Sequence, residues 1–255
     1  MDAHTWLCLL TLSAVSAFIV NSPKGDFFLK PPITLENTNK SFQSMVSTLQ
    51  NHFSSIDIQD TEQLKLANEY YKWTALKTQL ILHEKTFQIP STILPNTIKP
   101  SAFQWLHQEK QAVLLTYYSY DQSTNQYILS VKKNAVPQSA IDLIARSLVL
   151  IRKAVVWVDF GYNIGTEFGG RHPAIILKNL KDSLIVIPLS SRPPKNMDYT
   201  IPVDKVYGFP LMPRWANVTR ITQVSLSRLH YEKFGDVKPS ILKEIEEKLK
   251  SCGII

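Results

Sequence analysis

Seventeen residues, Gly161 to Leu177 (GYNIGTEFGGRHPAIIL), limit what this chain can fold into more than any other stretch. The β-branched and aromatic run VVWVDF leads into them and AIIL closes them, so one loop joins two strands. Gly165, Gly169 and Gly170 allow that loop to turn tightly and to admit a bulky ligand. One carboxylate, Glu167, lies among the glycines, and Arg171 and His172 stand against Pro173 where the second strand begins. A carboxylate, a guanidinium and an imidazole so close together supply what is needed to bind a phosphate and move a proton. The same string also describes a plain hairpin with an exposed ion pair, and the loop alone leaves both readings open.

The sequence beyond the loop continues in short strands. Strand patterns cover 154–160, 173–178, 183–190, 198–203 and 214–226, the last broken near Arg220. LIVIPLSSRPP forms the third and ends in Ser190, Ser191 and Arg192. Pro239 and Ser240 open a closing helix with Ile241, Leu242, Ile245 and Leu249 facing inward, and Gly253 caps its end. A small β-barrel or sandwich with a C-terminal helix follows from this pattern. Charge is distributed to match. From Arg152 onward there are 16 Lys and Arg against 10 Asp and Glu, a net of +6 within a total of +7. Basic charge attracts polyanions at long range without selecting a sequence.

In order, WVDF, GTEFGG followed by R-H-P, IPLSS and ITQVSLSRL resemble the MazF/PemK family of bacterial toxin endoribonucleases. The resemblance covers roughly the last two-fifths of the chain. It implies an SH3-like barrel that is usually a homodimer, the toxin component of a type II toxin–antitoxin system neutralised by a cognate antitoxin. It further implies growth arrest in the cytoplasm through metal-independent cleavage of single-stranded mRNA, with no cofactor. The 2′-hydroxyl attacks the adjacent phosphate, leaving 2′,3′-cyclic phosphate and 5′-hydroxyl ends. The catalytic residues so implied are Arg171, Ser190, His172 and Glu167, and the RNA contacts Lys178, Ser191, Arg192 and Gln223. Arg214 and Arg220 are further candidates for the RNA backbone, whereas Trp157, Trp215 and Phe209 read as core.

In two respects the chain departs from the family, the milder being Ser190 in place of the more frequent threonine, which keeps the hydroxyl. The usual motif places arginine directly before the proline, a position held here by His172, with Arg171 one residue earlier. Adjacent side chains on a strand point to opposite faces. If that alternation holds, His172 alone faces the cleft; if the loop bends, Arg171 does. The inversion keeps a second function in view, a catalytically inactive barrel that binds RNA, DNA or an antitoxin.

The family resemblance does not extend to the first 151 residues. Helical spacing places one helix over 40–53 and a longer one from Asp60 or Thr61 to Phe87, which Pro90, Pro95 and Pro100 prevent from continuing. A third is expected over 101–115, then a hairpin of YYSY and QYILSVKK, then a helix after Pro137. The fold class is therefore α+β, a mostly helical N-terminal region followed by the small barrel and its helix. Three segments result: an apolar stretch at 1–22, a helical domain of unknown role at 40–150, and the MazF/PemK-like domain at 152–255. The stretch TWLCLLTLSAVSAFIV has the core of a signal peptide but carries Asp2 where a basic residue belongs. It reads as an export signal, a packed helix or residues upstream of a later start such as Met45, and it leaves export or tethering open beside a cytoplasmic location. Two distant cysteines make no disulfide framework, and the six histidines show no metal-ligand spacing.

Overall fold

The computed structural model describes residues 34–162 and 168–254. The apolar stretch at 1–22 and Glu167 lie outside these residues. The chain divides into two compact units, Met1–Ser55 and Ile56–Ile255. In the first, α1 (Leu35–Ser54) begins at Thr34, whose hydroxyl accepts the Asn37 amide at 3.1 Å.

The second unit opens with α2 (Thr61–His83). The Asp60 carboxylate caps it by accepting the amides of Glu62 and Gln63 at 2.9 and 3.1 Å, as the sequence predicts. Among its residues only Ala67 is buried. After the prolines come β1 (Thr97–Ile98), α3 (Pro100–Gln104) and α4 (Gln108–Leu115). The single helix expected over 101–115 is thus two, because His107 is extended and starts α4 anew. The expected hairpin is present as β2 (Tyr118–Asp121) and β3 (Gln126–Leu129), with β1 added beside β3. Next is α5 (Gln138–Ile144), continued by one π turn, Ala145–Val149.

From Ala154 the chain is strand: β4 (Ala154–Asp159), β5 (Arg171–Asn179), β6 (Ser183–Ser190), β7 (Thr200–Val203), β8 (Arg214–Asn217), β9 (Thr222–Ser225) and β10 (Leu229–Asp236). The break expected near Arg220 is a 3₁₀ turn, Val218–Arg220. All pairs are antiparallel, in the order β10-β4-β5-β6-β8-β7, with β9 also on β6. The expected barrel does not close. Long β6 forks, pairing β9 along Ser183–Val186 and β8 at Leu189–Ser190, and only an isolated bridge, Tyr207 to Asp236, links the two ends of the sheet. Sequence reading also missed β10, whose polar LHYEKFGD lies on the sheet edge and lacks the apolar alternation of an interior strand.

Alternation along the central strands divides the core in two. Val156, Val158, Ala174, Ile176, Leu184 and Val186 face one side and share a core with Ile89, Leu94, Phe103, Leu114 and Ile144 of the helical region. Val155, Ile175, Ile187 and Leu189 face the other, against Ile201, Val203 and α6 (Pro239–Ser251) through Ile245 and Leu249. Burying each such side chain contributes about 1.5–3 kcal/mol. The first core therefore runs across residue 152 without a break. Gly253, at φ +67°, ends α6 in the left-handed conformation that L residues avoid.

Candidate functional site

The register of β4 and β5 gives the sides of the sheet on which Arg171 and His172 stand. Asp159 lies opposite Arg171, and Val158 opposite His172. Neighbouring residues on β5 therefore face different sides, so Arg171 and His172 point away from one another.

On one side Asp159 gathers three basic groups, two at its carboxylate and one at its backbone carbonyl. Arg171 Nε donates to Asp159 Oδ1 at 3.1 Å, and His230 Nε2 lies 2.6 Å from Asp159 Oδ2. Arg228 Nε donates to the Asp159 backbone carbonyl at 2.7 Å. Burial lowers the Arg228 pKa from its usual value while the Asp159 charge opposes the shift. β5 and β10 thus meet at one carboxylate that is only 16% exposed, and the turn before β10 holds the same residue's backbone.

On the other side the Phe168 ring lies 4.4 Å from the His172 imidazole, and the Arg220 guanidinium sits 5.0 Å over the same phenyl ring. The His172 ring is hydrogen-bonded to the backbone of Gly169 and Leu189, one on the loop and one beside Ser190. Burial nevertheless holds its pKa below the usual imidazole value, and the Arg220 charge pushes the same way. The ring is consequently neutral near pH 7, able to take a proton. Phe168 and Arg220 help wall a pocket of about 170 Å3 together with Pro188, Ser190, Arg192 and Trp215. The Ser190 hydroxyl donates to the Arg192 carbonyl at 2.9 Å and accepts the Arg192 amide at 3.1 Å.

Of the residues expected from sequence, the structure brings Ser190, Arg192 and Arg220 to one pocket, sets His172 beside its Phe168 wall, and places Arg171 elsewhere. Lys178 is six residues beyond His172, roughly 20 Å along an extended strand. Gln223 bonds Ser183 Oγ at 2.7 Å, at the opposite end of β6 from Ser190. Ser191 is exposed and forms no part of the pocket wall. Arg214 is buried, donating to the carbonyls of Pro210 and Met212, and so holds a loop instead of facing solvent. Trp157 stacks on Phe209 within the core as expected, but Trp215 reaches the pocket. Asp159, His230, Arg228 and Phe168 were not anticipated. Asp159 and Phe168 lie inside the quoted motifs, and only strand register distinguishes them from core.

A larger open groove of about 730 Å3 is walled by Ile98, Trp105, Leu148, Ile151 and Phe234 and shares no residue with this pocket. Its charged groups are Lys99, Lys153 and Asp236, and Lys153 pairs with Asp236 at 3.5 Å. It contains no imidazole and no arginine. Among the described residues, no three His, Cys, Asp or Glu side chains are grouped to hold a metal ion, and no helix is long and apolar enough to cross a membrane.

Comparison with known proteins agrees on the strand-rich part. Residues 151–252 match the family described as PemK-like, MazF-like toxin of type II toxin-antitoxin system. No curated protein matches the chain. Among solved structures, the chain is similar to MazF (Form-I) from Deinococcus radiodurans, at 21% identity and a TM-score of 0.35, over 41% of this chain and 96% of that one. It is also similar to an endoribonuclease in complex with its cognate antitoxin from a mycobacterial species, at 16% identity and a TM-score of 0.32, over 41% and 96%. A third is MazE-MazF (Form-II) from Deinococcus radiodurans, at 21% identity and a TM-score of 0.31, over 39% and 91%.

Proposed function

We propose that the chain is a toxin of the PemK/MazF type whose C-terminal part cleaves single-stranded mRNA without a metal ion. The supporting observation is a pocket walled by Phe168, Ser190, Arg192 and Arg220, with the His172 imidazole packed beside its Phe168 wall and its pKa lowered by burial. RNA carries its own nucleophile, so such a site needs only a base, cationic donors and a source of one proton. His172 accepts the proton of the 2′-hydroxyl as that oxygen attacks the neighbouring phosphorus. Arg220 and Arg192 meet the charge of the phosphorane. Ser190, released from the Arg192 carbonyl, donates to a phosphate oxygen. The P–O5′ bond breaks, the 5′-oxygen takes a proton from water, and a 2′,3′-cyclic phosphate remains. Glu167 is retained as a candidate catalytic residue from its place in the motif, and a cognate antitoxin as the partner, in the cytoplasm. The homodimer implied by the resemblance would form through surface other than the sheet face that residues 89–150 cover.

A second reading has its own observation. The Ser190 hydroxyl already both donates to and accepts from Arg192, and histidine stands where the family carries arginine. Both features suit a domain that binds RNA or an antitoxin and cleaves nothing. One assay separates the readings: the full chain incubated with end-labelled RNA in EDTA, beside RNA bearing single 2′-deoxy positions. Cleavage to cyclic phosphate ends, blocked by 2′-deoxy substitution at the scissile nucleotide, is expected. RNA that is bound but uncut at every sequence offered would leave the binding reading.

A further inference from the structure

The helix α2 is a long element with little to hold it. Of its 23 residues one is buried, yet it touches the strand-rich part at chosen points. The Trp73 indole packs directly on Gly161, so closely that a Cβ at that position would overlap the ring. Gly161 also has φ +92°, the left-handed region, so both the backbone and the neighbour require glycine there. One position on, Tyr162 meets Tyr70 edge to face at 5.6 Å. The Arg228 guanidinium lies 5.2 Å over the Trp73 ring, while its Nε holds the Asp159 carbonyl. Just past the helix, the Glu84 carboxylate accepts from Ser225 and Ser227, each at 2.8 Å.

These contacts fall on the root of the glycine loop. Gly170 donates its amide to the Gly161 carbonyl at 2.6 Å, and the Phe160 amide bonds the Gly170 carbonyl at 2.9 Å. What presses on Gly161 therefore acts on Gly170, and Gly170 leads directly into Arg171 and His172. Phe168 and Gly169, the loop residues that touch His172, stand immediately before it. By contrast, no residue of α2 contributes to the wall of the pocket. A helix that grips the loop's root and leaves the pocket open acts as a support and not as a cover.

We propose that Trp73 is a positioning residue: α2 clamps the root of the glycine loop at Gly161 and Tyr162 and so fixes Phe168 in the pocket wall and His172 beside it. The helical region is then part of the site, although it supplies no group to the chemistry. The assignment of a catalytic consequence rests on the nuclease reading above; the clamp itself does not.

The test uses the full chain with Trp73→Ala, Trp73→Phe and Tyr70→Leu, measuring amide hydrogen exchange, melting and RNA cleavage. For Trp73→Ala, exchange across 160–172 should rise about tenfold or more, while 183–189 in β6 stays protected. In cleavage, kcat should fall about 10- to 100-fold with KM within about threefold, since misplacement of a reacting group by about 1 Å costs that order. Trp73→Phe should recover most of both losses. Should Trp73→Ala fail to fold, Tyr70→Leu decides, with a smaller rise in exchange over 160–172. Unchanged exchange over 160–172 would overturn the clamp. A rise in kcat on removing Trp73 would also overturn it, making α2 a brake. If the parent cuts no RNA, the nuclease reading fails alone, and exchange still decides the clamp.

Discussion

The two faces of the strand-rich sheet are closed by different parts of the chain, and their neighbouring ends carry different chemistry. One face is covered by residues 89–150 and ends at His172, Phe168 and Arg220, where burial holds an imidazole neutral. The other is covered by α6 and ends at Arg171, Asp159 and His230, where Asp159 pairs with Arg171 and is hydrogen-bonded to His230. The residues that divide them are adjacent in sequence. A side-chain period of two, applied at one register, thus separates a group able to take a proton from a group already committed to an ion pair.

The largest effect that would break this contrast is removal of one cover. A fragment of residues 152–255 keeps α6 and the second core but uncovers Val156, Val158, Ala174, Ile176, Leu184 and Val186. A contiguous apolar patch of this kind drives association. Light scattering should show the fragment self-associating, and a well-folded monomer would mean the helical region is dispensable to that face.

Next in size is catalysis. His172→Ala should lower kcat/KM for RNA by about a hundred- to ten-thousand-fold, the range for loss of a general base. Cleavage kinetics on one defined RNA would measure it, and a loss under tenfold would place the proton transfer elsewhere.

How much of this was legible in sequence follows from the same alternation. The strands around VVWVDF, AIIL and LIVIPLSS were readable because both of their faces are buried and apolar, and α2 began at Asp60 because a cap there is a local matter. β10 was not readable, since an edge strand needs few apolar residues. The site's location was legible from the loop, Ser190 and Arg192. Its membership was not. Asp159 and His230 meet only through the pairing of β10 with β4, and Arg220 reaches Phe168 from a turn some 50 residues later in sequence. Motif spacing carries no information about which face a residue takes; register does.

The pH dependence gives a smaller but signed effect. Because burial lowers the His172 pKa, the folded state gives up this proton more readily than the unfolded chain. Its contribution to stability is therefore present above the unfolded value of about 6.5 and diminishes as the pH falls through it. The rising limb of the pH–rate profile should accordingly bend below about pH 6.5. His172→Ala should remove that limb, and a limb that persists in the variant would assign it to another group.

Smallest is the effect at the neighbour. Arg171→Ala removes an ion pair whose arginine is 58% exposed, a contact contributing about 0–1 kcal/mol. Cleavage should stay within about threefold and the melting temperature within a few degrees. A loss approaching that of His172→Ala would mean that both sides of the sheet end serve one reaction.

The separation of the two neighbours can be observed without any catalysis. A protein labelled at histidine and arginine side chains, titrated with a 2′-deoxy oligonucleotide that cannot be cleaved, reports by NMR which groups meet the nucleic acid. The account predicts that the His172 ring and the Arg220 Nε–H resonances move with a common dissociation constant, while Arg171 Nε–H and the His230 ring hold their positions against Asp159. Shifts at Arg171 and His230, with His172 and Arg220 unmoved, would contradict it.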